Sequence, residues 1–298
     1  MLFARDKSQM CNNLLQFAHV YAWGREHGRK SMSMRFSYKY KFFKISSSRL
    51  VSFPMYLFAK YAAALRILPT ASFKYENCDV EALEKKMLRH RNIVVSGWYA
   101  RWYDLFLKYR NEICDMFEID ERYTSVVKTK MIEAESNSKN VIRLGVHIRR
   151  GDYAKWKNGI YCYDNDTYIN YIQSFASLYP ESEVHVYLST NDPGVSVDYY
   201  QSQLPAIVIH LLAGSPPEDL FMLSECDYVM GPPSTFSLVA VMYRDIPLCR
   251  MDTVSAGQLT KEAFLSFDYW FRRIVYRLIF FIIHQKIQTY NIKSYRHR

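Results

Sequence analysis

Beyond residue 140 the sequence alternates between short, unbroken apolar runs and longer segments with helical spacing. "VIRLGVHI" (141–148) precedes "NDTYINYIQSFASLY" (165–179), and "VHVYLST" (184–190) precedes a helical stretch around 195–203. "AIVIHL" (206–211) precedes "PEDLFMLSEC" (217–226), and "DYVMG" (227–231) precedes "TFSLVAVMY" (235–243). Strands that are apolar on both faces need cover on both faces. The arrangement that supplies it is a parallel sheet with helices on either side. Such sheets take ligands beyond the carboxyl ends of their strands. No internal repeat is present.

The first 140 residues are less regular. "NNLLQFAHVYAWGREHG" (12–28) sets Leu14, Leu15, Ala18, Tyr21 and Ala22 at helical spacing, with Gly28 as the stop. "MRFSYKYKFFK" (34–44) reads as a strand running into a surface loop, and "MYLFAKYAAALRIL" (55–68) as a helix ended before Pro69. "NIVVSGWYA" (92–100) is a strand and turn, and "YDLFLKYRNEICDMF" (103–117) an amphipathic helix. "ERYTSVVKTKMIEAESNSKN" (121–140) is a helix that runs out in a polar linker near 135–140. That linker sets the expected boundary between domains at 1–138 and 139–256, with a basic, apolar helical tail over 257–298.

Composition narrows the partners. A chain of 298 residues, 49% apolar and 23% charged, is ordinary globular material with room for one large domain or two medium ones. The net charge of +10 is uneven. Residues 1–60 hold 11 Lys/Arg against Asp6 and Glu26, and residues 271–298 hold seven Lys/Arg and no acid, which leaves the middle at −6. Two basic ends around an acidic centre fit an anionic membrane face better than nucleic acid, and no nucleic-acid partner is expected. The six cysteines show neither CxxC nor zinc spacing, as structural thiols in a reducing compartment would. "MLFARDKSQM" has no apolar core of signal-peptide length, and no run approaches the ~20 apolar residues of a spanning helix. A cytoplasmic protein touching the inner face of the plasma membrane is the expectation. "IVYRLIFFIIHQKI" (274–287), interrupted by Arg277, reads either as an interfacial helix or as a docked terminal one.

The chemistry concentrates where the strand 141–148 runs into Arg149, Arg150, Gly151 and Asp152. Pleating puts Ile142, Leu144, Val146 and Ile148 on one face and His147 with Arg149 on the other, so Arg149 and Arg150 point to opposite sides. Two adjacent guanidiniums must meet negative charge. One can reach a ligand while the other pairs with a carboxylate such as Asp152; alternatively both tie down the loop. The guanidinium fork matches phosphate oxygens in two parallel bonds. In "DYVMGPPSTFSLVAVMY", Ser234 and Thr235 open an apolar helix, whose first amides and positive dipole end favour an anion. Simple capping is the plainer reading of either residue alone. Two anion-suited features at one rim point instead to one ligand carrying more than one phosphate. No GxGxxG or GxxxxGK[ST] loop is present, which argues against a dinucleotide dehydrogenase or P-loop kinase. Ser189, Thr190, Asn191 and Asp192 at the end of "VHVYLSTND" suit a ribose or base edge, or simply the turn before Pro193. Asp219 is either a helix-start acid or a nucleobase contact.

Taken together these residues resemble the α-1,2-fucosyltransferases, glycosyltransferase family 11. "HIRRGDY" is similar to the family's HxRRGDY motif, shared in part with α-1,6- and protein O-fucosyltransferases. "MCNNLLQFAHVYAWGREHG", "VVSGWYARWYDLF", "YLSTND" and "DLFMLSECDYVMGPPSTFSLVAV" resemble four further blocks, all in family order over roughly residues 8–245. The resemblance implies two Rossmann-like domains in the GT-B arrangement, with the acceptor on the N-terminal one and GDP-fucose on the C-terminal one. It implies inverting fucosyl transfer with no required metal; the leading reading is transfer from GDP-fucose, in α-1,2 linkage, to a glycan of surface polysaccharide or lipid-linked oligosaccharide. By position Arg149 contacts the donor's β-phosphate, His147 and Asp152 shape the turn and with Arg149 make the catalytic set, and Arg150 joins the donor set. Ser234, Thr235 and Phe236 hold the pyrophosphate, while Asn191, Asp192 and Asp219 fall near the guanosine. The general base stays open. A transferase using another GDP-sugar and a non-catalytic anion- or nucleic-acid-binding protein are the rival readings. The chain also departs from the family, with "KSQMCNN" for its glycine-rich start and "PPSTFSLV" without its Asn and two Trp.

Overall fold

The computed structural model describes residues 1–5, 8–212 and 214–273. The first half runs β1 (Leu2–Arg5), α1 (Met10–Glu26), β2 (Ser31–Ser33), α2 (Phe53–Ala64), β3 (Thr70–Ser72), α3 (Val80–Arg89) and β4 (Ile93–Ser96). Its strands pair in parallel in the order β2-β1-β4-β3. Three helices follow: α4 (Tyr103–Lys108), α5 (Arg110–Met116) and α6 (Glu121–Ala134). The second half is β5 (Val141–Ile148), α7 (Asn165–Ala176), β6 (Glu183–Thr190), α8 (Val197–Gln203), β7 (Val208–His210), α9 (Pro216–Ser224), β8 (Tyr228–Gly231), α10 (Thr235–Met242) and β9 (Leu248–Arg250). Its sheet, also parallel, is ordered β7-β6-β5-β8-β9. The protein is therefore α/β, with two parallel sheets flanked by helices.

The central strand shows why the apolar runs are continuous. Leu144, Val146 and Ile148 on one face of β5 pack with Ile172 and Phe175 of α7. On the other face a Cβ added at Gly145 would lie 2.7 Å from Leu223 and 3.2 Å from the Cys226 sulfur, so glycine lets α9 approach. α1 is buried along almost its whole length, because one side meets the first sheet and the other meets α4 and α10. The halves are tied together in several places. The Arg110 guanidinium donates to the Met242 carbonyl at 2.6 and 3.1 Å, and the Tyr243 hydroxyl donates to the Phe117 carbonyl at 2.8 Å.

Several expectations change in detail. The segment 34–44 forms turns and a 3₁₀ start, and the strand lies just before it at Ser31–Ser33. The helix expected over 103–117 is two, broken at Tyr109 (φ −103°, ψ 17°). α2 starts on Ser52, whose hydroxyl caps the Met55 amide, and stops at Leu65 rather than at Pro69. α6 precedes the polar linker yet leans on the second sheet: Glu135 meets Arg143 at 2.7 Å on both oxygens and accepts the Tyr187 hydroxyl at 2.5 Å. Residues 257–273 pack against the body. Leu265 bridges to Leu248, and the Trp270 indole donates to the Leu248 carbonyl at 2.6 Å. The expected interfacial helix at 274–287 lies outside the described residues. Among the described residues no helix is long and apolar enough to cross a membrane.

Candidate active site

In the second sheet the chain builds outward from β5 to β6 and β7, then returns to add β8 and β9 on the opposite side. The order therefore reverses between β5 and β8, and the connections leaving those two strands part to open a crevice. The first sheet reverses in the same way between β1 and β4. The carboxyl ends of both sheets face one cleft of about 1600 Å³. Arg5, Ser72, Ser96, Gly97 and Trp98 line it from the first half; Arg149, Asn191, Asp219 and residues 232–238 line it from the second. Residues 8–12, entering α1, also reach it.

The turn after β5 is built around its two arginines. Arg149 turns into the cleft, where its Nη2 meets the Asp152 carboxylate at 2.7 and 3.0 Å. Its guanidinium lies 5.4 Å from the Tyr153 ring centre. Tyr153 in turn donates to the Pro233 carbonyl at 2.6 Å, linking the loop after β5 to the loop after β8. Arg150 turns away and is fully engaged: Nη1 to Asp192 at 3.0 Å, Nη2 to Asn165 at 2.5 Å, Nε to the Tyr163 carbonyl at 3.1 Å. Asn191 clamps the same turn, accepting from the Arg150 amide at 2.9 Å and donating to its carbonyl at 3.2 Å. Gly151 completes it in a left-handed conformation (φ 64°).

His147 lies beneath, buried, with Nδ1 3.3 Å from the Ser237 hydroxyl and its ring 5.1 Å from Phe236. Burial, and next the Arg149 charge, push its pKa down to about 3, so the imidazole is neutral. It packs beneath the turn as a neutral ring with a single N–H, uncharged at ordinary pH.

At the entrance to α10 the Ser234 hydroxyl accepts the Phe236 amide at 3.1 Å, leaving the other amides of the first turn at the helix's positive end. The Thr235 hydroxyl donates to Asn12 of α1 at 2.9 Å, so this anion-suited terminus is held against the first half. Asp219 accepts the Ser189 hydroxyl at 3.1 Å, and burial raises its pKa to about 7.

The cleft thus gathers His147, Arg149, Asp152, Asn191, Asp219, Ser234, Thr235 and Phe236. Arg150 and Asp192 do not line it; they hold each other behind the turn. Sequence reasoning missed Lys155 and Trp156 on the loop after β5, and Arg250 at the end of β9. The basic and aromatic run "YAKWK" directly after "RRGD" was the available signal. Among the described residues no group of three or more His, Cys, Asp or Glu is placed to hold a metal ion.

The sequence pattern of glycosyl transferase family 11 matches residues 6–247. This chain belongs to that family. The match to this glycosyltransferase family extends from the loop before α1 to the turn before β9. No curated protein matches it by sequence. Among solved structures, a variant of Arabidopsis thaliana FUT1 in complex with GDP superposes with a TM-score of 0.59 at 12% identity, covering 89% of this chain and 73% of that one. POFUT1 in complex with GDP-fucose gives 0.56 at 13% identity, over 82% and 94%. Fucosyltransferase NodZ from Bradyrhizobium gives 0.55 at 14% identity, over 87% and 97%. At such identities the likeness is one of fold, and it is the GT-B fold of this glycosyltransferase.

Proposed function

We propose that this chain transfers fucose from GDP-fucose to a glycan hydroxyl, with inversion and in α-1,2 linkage. The observation that carries the reading is the single cleft at the β5/β8 switch point, in which Arg149 and the amino end of α10 face the same space. When the bond from the sugar's C1 to the diphosphate breaks, the electron pair leaves on a β-phosphate oxygen. An acceptor hydroxyl oxygen bonds C1 from the opposite face, and its proton passes to a base at the cleft or to solvent. Arg149, oriented by Asp152, and the first-turn amides of α10 neutralise the departing charge. A donor of this kind is typically worth about 3 kcal/mol in the transition state. Asn191 and Asp219 border the part of the cleft that suits the guanosine, and Arg150 with Asp192 fixes the turn from behind.

Residues 1–138 would present the acceptor and residues 139–256 hold the donor. The acceptor class in this reading is a surface polysaccharide or lipid-linked oligosaccharide. The six cysteines, all free, accord with a cytoplasmic site. Support for the donor comes from GDP and GDP-fucose in the complexes of FUT1 and POFUT1 that share the fold. Thermal shift against a panel of GDP, GDP-fucose, other GDP-sugars and RNA tests it, followed by mass analysis of product from an acceptor panel. GDP and GDP-fucose should raise the melting temperature in the parent and not in Arg149→Ala. Stabilisation by RNA alone would replace this reading with a binding protein, and turnover with a different GDP-sugar would replace the donor.

A further inference from the structure

α2 is packed inside out. Its inner face, against Phe3 of β1, Met32 of β2 and Val94 of β4, is made mainly of Ala59, Ala63, Met55 and Tyr56. Its large apolar residues point to solvent instead: Phe53, Phe58 and Tyr61 are 46%, 54% and 58% exposed, and Leu65 and Ile67, just past its end, 71% and 69%. Exposed apolar residues scattered singly need no explanation, but here five fall within fifteen positions on one helix and its exit. A helix apolar on every side belongs in a protein core or against lipid.

The charge around the patch says which. The 49 residues between Glu26 and Glu76 contain ten Lys/Arg and no Asp or Glu. Lys60 and Arg66 stand exposed among the apolar side chains, with Arg49 exposed just before the helix. None of the three has a carboxylate partner among the described residues. Aromatic and aliphatic groups interspersed with cations that have no carboxylate partner, and no anion in the same stretch, complement a bilayer carrying anionic headgroups. A protein partner covering so much apolar surface would ordinarily bring its own polar rim of both signs.

We propose that this face of α2 and its exit docks the enzyme on an anionic lipid bilayer. The patch adjoins the cleft: Tyr38, whose ring lies 5.7 Å from Phe53 and 4.9 Å from Tyr56, directly precedes Lys39 and Tyr40 of the cleft wall. Docking there brings the acceptor side of the cleft near the lipid surface. That last step rests on the glycosyl-transfer reading, whereas the docking itself does not.

The test is flotation of the full chain with vesicles of phosphatidylcholine, with and without about a third phosphatidylglycerol. The parent should bind the anionic vesicles and release them at high salt. Phe58→Ser/Ile67→Ser should weaken that binding roughly tenfold or more, and Lys60→Gln/Arg66→Gln by about fivefold per charge removed. In both variants the thermal shift with GDP should stay as in the parent, which separates a failed docking site from a failed donor site or a failed fold. Unchanged vesicle binding by both variants overturns the proposal. So does a parent that dimerises through this face, with Phe58→Ser/Ile67→Ser monomeric and vesicle binding unaltered.

Discussion

Arg149 and Arg150 are adjacent in sequence and opposite in environment. Pleating makes the opposition legible from the sequence: His147 and Arg149 share a face, and Arg150 must leave from the other. Which carboxylate each would find is not legible, because Asp192 reaches Arg150 from the end of β6, 42 residues away in the chain. Arg149→Ala should abolish transfer with the melting temperature nearly unchanged. Arg149→Lys should be severely impaired too, since an ammonium cannot make the two-pronged contact. Arg150→Ala should act on the fold, removing the cation that joins Asp192, Asn165 and the Tyr163 carbonyl and costing about 1–3 kcal/mol, read by chemical denaturation. Asp219 offers a test by pH. Its folded pKa of about 7 lies above its ordinary value of 3.8, so the folded protein holds the proton more tightly than the unfolded chain. Stability of the unliganded protein should therefore fall as pH rises from about 4 to about 7 and level off above. Asp219→Asn should remove that slope in thermal scans. If the carboxylate accepts from a guanine edge, GDP affinity of the parent should weaken as pH falls below 7, and that dependence should vanish in the variant.

Among the elements, the long strands and their helices in the second half follow directly from the sequence, because continuous apolar runs of five to eight residues have few other uses. The first sheet does not. β1, β2 and β3 are three or four residues long, too short for any period to register, and their pairing is set by α1 and α2 packing across them. α3 also escapes notice, with charge on most of its surface and Met87 alone fully buried. β8 carries an element-scale constraint that joins fold to site. Gly231 ends the strand where it passes beside the turn of β5, and a Cβ there would sit 2.7 Å from the His147 carbonyl oxygen. Backbone cannot yield as a side-chain tip can. Gly231→Ala should cost about 1–3 kcal/mol and displace the Arg149 turn from the α10 terminus. Transfer should drop further than stability predicts, seen as lost turnover in protein that is still folded at the assay temperature.

At the scale of the whole molecule, the halves are joined by more than the polar linker the sequence displays. The chain returns after β9, and Phe267, Trp270 and Phe271 carry it back against the first half. Phe271, 1% exposed, stacks on His19 of α1 at 5.4 Å and packs on Phe106 of α4 at 4.4 Å. Sequence shows this stretch only as apolar and basic; where it docks depends on a groove made by His19 and Phe106, far earlier in the chain. The geometry makes Phe271 a bolt between a first half it touches directly and a second half it reaches through Trp270 and β9. A bolt of this kind predicts cooperativity. Phe271→Ala removes a buried ring and should cost about 3–5 kcal/mol. Because both halves share the contact, calorimetry of the parent should give one transition, and the variant either one transition at lower temperature or two as the halves uncouple. A variant that melts as the parent does would show that the other ties between the halves, Thr235 to Asn12, Arg110 to Met242 and Tyr243 to Phe117, hold them without this ring.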